Sequence, residues 1–153
     1  MFLIEGIMTR EVVTVKPDSS IQNISRKMAQ NNISCVIVAK GKTPVGIISE
    51  RDFVKKILSR SKDAEKLTAK DVMSSPVYSV TSKDTIINTS RLMRAKNVRH
   101  FAVVEDSMLK GIVTETDLVK GERDYIKAHQ ILQNLVLTLF MTLTLIFFLV
   151  FIA

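Results

Sequence analysis

Two stretches of this chain repeat at a constant offset of 65 residues without a gap, which restricts the possible folds more than any other feature. Met8 matches Met73, Val12 and Val15 match Val77 and Val80, Ile21 matches Ile86, and Arg26 matches Arg91. Further on, Met28 falls on Met93, Asn32 on Asn97, Val38 on Val103, Gly46-Ile47 on Gly111-Ile112, Glu50 on Glu115 and Asp52 on Asp117. A unit this long, present only twice in 153 residues, is not a solenoid repeat. It predicts two half-domains packed face to face. Each copy alone has a marginal core, because a chain of roughly 60 residues buries a small share of its surface. The face between the copies is therefore structural, and it also forms a cleft.

Local signals predict the same order in both copies. In the first, residues 12–15 read as a strand, and Pro17-Asp18-Ser19-Ser20 as a turn and cap for an amphipathic helix over 21–31. Strands at 34–39 and 44–49 flank the turn Gly41-Lys42, and 50–60 is helical. The second copy repeats this with strand 77–80, helix 84–96, strand 99–105, turn Asp106-Ser107, strand 109–114 and a helix from Glu115. The unit is βαββα and the class α/β (α+β). Residues 4–60 and 71–122 are the two motifs, and 61–70, charged and without apolar periodicity, read as a surface linker.

Beyond the repeat the composition changes. Residues 123–130 are polar, and 131–153 contain no charged side chain. The nineteen residues 135–153, rich in Leu, Phe and Ile, form a helix of about 28 Å, close to the thickness of a bilayer's hydrocarbon core. The expected role is a C-terminal transmembrane anchor. Lys120, Arg123 and Lys127 on its N-terminal flank keep the folded portion cytoplasmic. The alternative is a buried or dimer-forming helix, but a helix apolar on every side needs lipid or a large core. Thr138, Thr142 and Thr144 are compatible with lipid, since their hydroxyls bond back to helical carbonyls.

Several function classes are disfavoured. Cys35 is the single cysteine, which excludes an internal disulfide and a cysteine metal cluster and points to a reducing compartment. The apolar N-terminus is broken by Glu5 too early for a signal peptide. The net charge of +7 is spread among acids, as in Arg60-Ser-Lys-Asp-Ala-Glu-Lys, and lacks interleaved aromatics, so nucleic acid is an unlikely partner. With only His100 and His129, no nucleophile with its base, two-histidine metal site or Walker-type loop can be assembled. The recurring Met8, Met28, Met73 and Met93 read as packing.

The strongest local signal is Gly46-Ile-Ile-Ser-Glu-Arg-Asp52, mirrored by Gly111-Ile-Val-Thr-Glu-Thr-Asp117. Each puts a hydroxyl at a helix start and a carboxylate three residues later. One reading is a capping box, with Asp52 and Asp117 returning to Ser49 and Thr114. The other is a ligand site, in which a helix start welcomes phosphate and the carboxylate accepts two bonds from a ribose diol. On chemistry alone the two are balanced.

Ile7-Met-Thr-Arg, Val12-Val-Thr-Val-Lys-Pro-Asp, Asp71-Val-Met-Ser-Ser-Pro-Val, Leu92-Met-Arg-Ala-Lys-Asn-Val-Arg-His-Phe-Ala-Val-Val and Gly111-Ile-Val-Thr-Glu-Thr-Asp-Leu resemble the cystathionine beta-synthase (CBS) domain family. The resemblance covers residues 4 to 122. It implies two motifs packed through their sheets, with paired clefts for adenosine ligands such as AMP, ADP, ATP or S-adenosylmethionine, and a non-enzymatic regulatory role without a required cofactor. It places Asp52 and Asp117 on ribose, Ser49 and Thr114 on ribose or phosphate, and the strand edges Thr14-Val15 and Ser79-Val80 around adenine. Arg99 and His100 resemble the family's phosphate-reading pair, and their counterparts are Ser34 and Cys35, so unequal sites are expected. A homodimer is implied by resemblance. The alternative role is a ligand-free adaptor that dimerises or docks on a membrane transporter, channel or enzyme.

Overall fold

Hydroxyl side chains start the amphipathic helices, and asparagines end them. In the computed structural model, which describes residues 2–152, α1 (Ile21–Gln30) is capped by Ser20, whose side chain accepts the Asn23 N–H. The second copy's α4 (Ile86–Lys96) is capped in the same way by Thr85. Asn32 and Asn97, matched in sequence, both take a left-handed backbone at the helix C-terminus, which asparagine tolerates better than most residues. Met1 and Ala153, the first residue of the leading segment and the last of the apolar tail, lie outside the described residues.

Each copy forms a three-stranded sheet. In the first, β1 (Thr14–Val15) runs parallel to β2 (Cys35–Lys40), which pairs antiparallel with β3 (Thr43–Ser49). In the second, β4 (Ser79–Val80), β5 (His100–Glu105) and β6 (Met108–Thr114) repeat the order and the register. Even the irregularity recurs, between Val38 and Ala39 and between Val103 and Val104. The sequence repeat is thus a repeat of pairing geometry. After β3, the short helix α2 (Glu50–Asp52) continues as a π-helical turn, Phe53–Ile57, and a 3-10 turn, Leu58–Arg60.

The copies interlock through their leading segments. Ile4 and Met8, at the start of copy 1, are buried in the core of copy 2 with Ile86, Met93, Phe101 and Val113. Their counterparts Ala69 and Met73 pack into copy 1, with Val72, against Ile21, Ile24, Met28 and Val36. The exchange is symmetric in its bridges, Thr9 with Ile112 and Ser74 with Ile47. Gly46 and Gly111 make room for it: a Cβ on Gly46 would collide with the Met73 sulfur, and one on Gly111 would lie 2.8 Å from the Thr9 carbonyl. Residues 61–70 are therefore more than a surface linker, since Ala69, in helix α3 (Ala69–Val72), is fully buried. The missing apolar periodicity there reflects a one-turn helix, too short to show a period. A third cluster, with Cys35, Ile37 and Ala39 facing Ala102 and Ile112, joins the two sheets.

One departure from symmetry follows from a single residue. The Leu109 N–H donates to the Lys42 carbonyl at 2.9 Å, and the mirror bond cannot form because Pro44 occupies the matching position and has no N–H. A second concerns Thr89, whose hydroxyl is buried with no hydrogen-bond partner among the described residues where copy 1 has Ile24. An unbonded buried hydroxyl is destabilising, so Thr89→Val is expected to raise stability by about 1 kcal/mol. Thermal denaturation followed by circular dichroism checks the sign.

The last helix, α5 (Glu115–Ile152), is 38 residues long, about 57 Å of unbroken α-helix. It packs beside α4 near its start, where Gly121 lies against Ile86 and Ile7. Tyr125 meets Phe2 edge-on at 4.7 Å. Beyond this point it leaves the domain. It is long and apolar enough to cross a membrane, and none of its most hydrophobic window is buried among the described residues. The threonines behave as expected, Thr138 and Thr144 bonding back to the carbonyls of Asn134 and Phe140. The polar stretch 123–130 interrupts the hydrophobicity and not the helix.

Candidate functional site

Both strand-to-helix turns close as capping boxes. The Ser49 N–H and hydroxyl donate to Asp52 Oδ2 at 2.8 and 2.7 Å, and those of Thr114 donate to Asp117 Oδ2 at 2.9 and 2.7 Å. Aspartate suffices where glutamate is commoner because the cap residue bonds through both backbone and side chain to one oxygen. Capping therefore consumes Oδ2 and leaves Oδ1.

The space between the copies stays open. A groove of about 590 Å³ is lined by Ser34, Ser49, Asp52 and Tyr78 together with Arg99, His100 and Thr114. Lys55 and Lys56 from copy 1 also line it, as do Glu50 and Glu115, so cations and anions share its rim. The Arg99 side chain is mostly exposed and lies 3.4 Å from Glu115, leaving most of its guanidinium donors directed to solvent. His100 Nε2 is 3.2 Å from the Ser34 hydroxyl.

Charges around the groove set its ionisation. Burial lowers the His100 pKa below the ordinary value of 6.5, and Arg99 and Arg51 lower it further against the opposing Glu50 and Asp117. His100 is thus a neutral imidazole at neutral pH. Burial, then Glu50 and Asp117, push the Cys35 thiol up to about 12, so it stays protonated and inert. For Asp52, burial acts upward but is outweighed by the hydrogen bonds from Lys56 and from the Ser49 side chain and backbone, and its pKa falls below 3.8.

The His100 shift carries a sign. The unfolded chain takes up this proton more readily than the folded one, so stability is complete above about pH 6.5 and declines as pH falls below it. Urea midpoints measured from pH 7.5 to 5.5 are expected to fall, and His100→Gln flattens that decline. The contribution of Asp52 is separate, present above its unfolded value of 3.8 and lost only as pH falls through the lower folded value.

The residues read from the sequence fall into two groups. Ser34, Ser49, Asp52, Arg99, His100 and Thr114 meet in the groove, while Asp117, bonded to Thr114, is not among the residues that line it. Val15 and Val80 turn their side chains into the two cores, and Thr14 and Ser79, though exposed, do not line the groove. The reason is the two-residue period of a strand, which buries every second side chain. At this wall stand Ser74, Pro76 and Tyr78, the residues leading into β4. Tyr78, an aromatic beside a strand start with Lys96 over its ring at 5.6 Å, was the available signal.

The CBS domain pattern matches residues 4–59 and 69–124. This chain belongs to the CBS domain family. Among curated proteins, an uncharacterized protein of Methanopyrus kandleri is 35% identical over 118 residues, 76% of this chain and 60% of the relative, so the chain spans less than two thirds of that protein's length. The crystal structure of the CBS domain protein NE2398 superposes with a TM-score of 0.74 at 32% identity, covering 78% of this chain and 97% of that one. CBSX2, crystallised in complex with AMP, shares the fold with a TM-score of 0.69 at 20% identity over 82% of this chain and 98% of its own.

As a CBS pair, the chain falls among proteins that are generally regulatory. Its second motif carries the two residues, Arg99 and His100, that copy 1 replaces with Ser34 and Cys35. Cys35 is buried in the cluster joining the sheets, whereas His100 reaches the groove.

Proposed function

We propose that this CBS pair is a non-catalytic regulatory module that binds an adenosine ligand, AMP, ADP, ATP or S-adenosylmethionine, between its motifs and relays occupancy to a partner. The observation that carries the reading is the open groove of about 590 Å³ in which Arg99, His100, Ser34, Ser49 and Thr114 converge from both copies. Its volume is within the range of small-molecule sites, about 300–1,000 Å³. Arg99 presents a planar fork of donors suited to phosphate, and the neutral His100 adds a hydrogen bond without charge. For occupancy to signal, the ligand must favour one arrangement of the motifs or of a homodimer, since equal affinity for both changes nothing.

Residues 131–153 are the proposed membrane span. Lys120, Arg123 and Lys127 at its flank support a cytoplasmic side for the CBS motifs. The regulated partner is then a membrane protein, such as a transporter or channel, or an enzyme working at the membrane surface.

Calorimetry of the full chain in detergent micelles against AMP, ADP, ATP and S-adenosylmethionine tests the binding. Arg99→Ala is expected to weaken phosphate-bearing ligands roughly 10- to 100-fold, the worth of a charge-assisted contact, and to leave adenosine nearly unchanged. No heat from any of the four at millimolar concentration would leave the second reading, a dimerising or docking adaptor. That reading draws support from the Asp52 carboxylate, whose oxygens are both engaged by the protein, and from the exposed Val54, Leu58, Ile87 and Leu92 on the helices.

A further inference from the structure

The two capping boxes are alike at Oδ2 and differ at Oδ1. Asp52 Oδ1 lies 2.7 Å from Lys56 Nζ and accepts the Ser74 hydroxyl at 3.1 Å. Lys56 is itself held, donating to the Val72 carbonyl at 2.7 Å and to Ser74 Oγ at 2.9 Å. The pair is largely shielded, with side chains 31% and 12% exposed. Both oxygens of Asp52 are therefore spoken for by a closed network that spans the leading segment of copy 2 and the helix of copy 1.

The second copy has no such network. The position matching Lys56 is Gly121, and the helix packs so closely there that a Cβ would stand 2.8 Å from Ile86 and 2.9 Å from Ile7. Asp117 uses Oδ2 for its cap, and its Oδ1 takes no hydrogen bond among the described residues. The helices differ to match. Copy 1 widens into the π-helical turn Phe53–Ile57 that carries Lys56, whereas α5 runs through Gly121 as regular α-helix.

A ribose diol grips a carboxylate by donating to an oxygen with open lone pairs. A neutral hydroxyl does not displace an ammonium held by three contacts, because hydrogen bonds between charged groups are about twice as strong as neutral ones. We propose that Lys56 denies the Asp52 carboxylate to ribose, so that the Arg99-lined groove takes its ligand by the anionic end alone, and Asp117 is the one carboxylate per chain that reads a diol. This rests on the nucleotide reading above and assigns unequal chemistry to the two repeated aspartates.

Calorimetry of the full chain in detergent micelles with AMP and with 2′,3′-dideoxy-AMP separates the possibilities. The wild-type chain is expected to show one diol-dependent site per chain, preferring AMP roughly tenfold or more. Asp117→Asn removes that preference, and Asp52→Asn leaves it in place. Lys56→Met, which keeps the aliphatic stem and removes the ammonium, raises the number of diol-dependent sites per chain from one to two. If Asp52→Asn abolishes the preference, or Lys56→Met leaves a single diol-dependent site, the latch is wrong while nucleotide binding stands. Should Lys56→Met fail to fold, the two Asn variants decide the matter with Lys56 in place. AMP that binds neither the wild-type chain nor Lys56→Met defeats the nucleotide reading and the latch with it.

Discussion

Leu139→Arg combined with Leu143→Arg is expected to move the chain from the membrane pellet to the soluble fraction on carbonate extraction. Both positions lie in the middle of the apolar part of α5, and neighbouring side chains on every side of the helix are exposed, including Leu135, Val136, Leu137 and Phe140. Among the described residues nothing covers them, and on the proposed anchor reading lipid is their solvent. An arginine at the centre of a spanning helix costs about 3 kcal/mol, and two cost about 6 kcal/mol, roughly four orders of magnitude in partitioning. A wild-type chain that appears in the soluble fraction would remove the anchor, and the tail would then be an oligomer-forming helix.

Phe101→Ala is expected to destabilise the folded portion by about 3–5 kcal/mol. Phe101 is completely buried at the centre of the copy 2 core, against Ile4, Met8, Val80 and Leu118. Truncation leaves a cavity in a layer that the leading segment of copy 1 helps to close. Because Ile4 and Met8 sit in copy 2 while Ala69 and Val72 sit in copy 1, neither half can melt alone without exposing the other's core. Thermal denaturation in mild detergent should therefore show one transition, shifted down as a whole. Two transitions, with copy 1 unmoved, would contradict the interlock.

Much of this architecture was legible because the duplication carries its own check. A strand read at 34–39 is supported by its mirror at 99–105, and the registers of the two sheets agree residue for residue at the repeat offset. Ser49 with Asp52 and Thr114 with Asp117 marked helix starts. What escaped was contact across the repeat. Nothing in the order of residues says that Ile4 packs against Phe101, or that Ala69 belongs to the core of copy 1, because a one-turn segment has no period to read. The adenine edge at Thr14-Val15 and Ser79-Val80 was likewise placed by pattern, and strand alternation turned Val15 and Val80 inward.

The aspartates show the division most clearly. Either capping or ligand binding was open to both from their spacing alone, and the folded chain has both capped through Oδ2. It then separates them through residues far from the motif: Lys56 and Ser74 close Asp52, while Gly121 leaves Asp117 Oδ1 open. The amino-acid order by itself determined the duplicated βαββα plan, the capped turns and the long apolar segment, since these depend on local periodicity, capping chemistry and hydropathy. Only the tertiary structure decided which copy each leading segment completes, that the polar stretch does not break α5, and which carboxylate has a free oxygen. Those outcomes depend on distances between side chains remote in sequence, which no local pattern encodes.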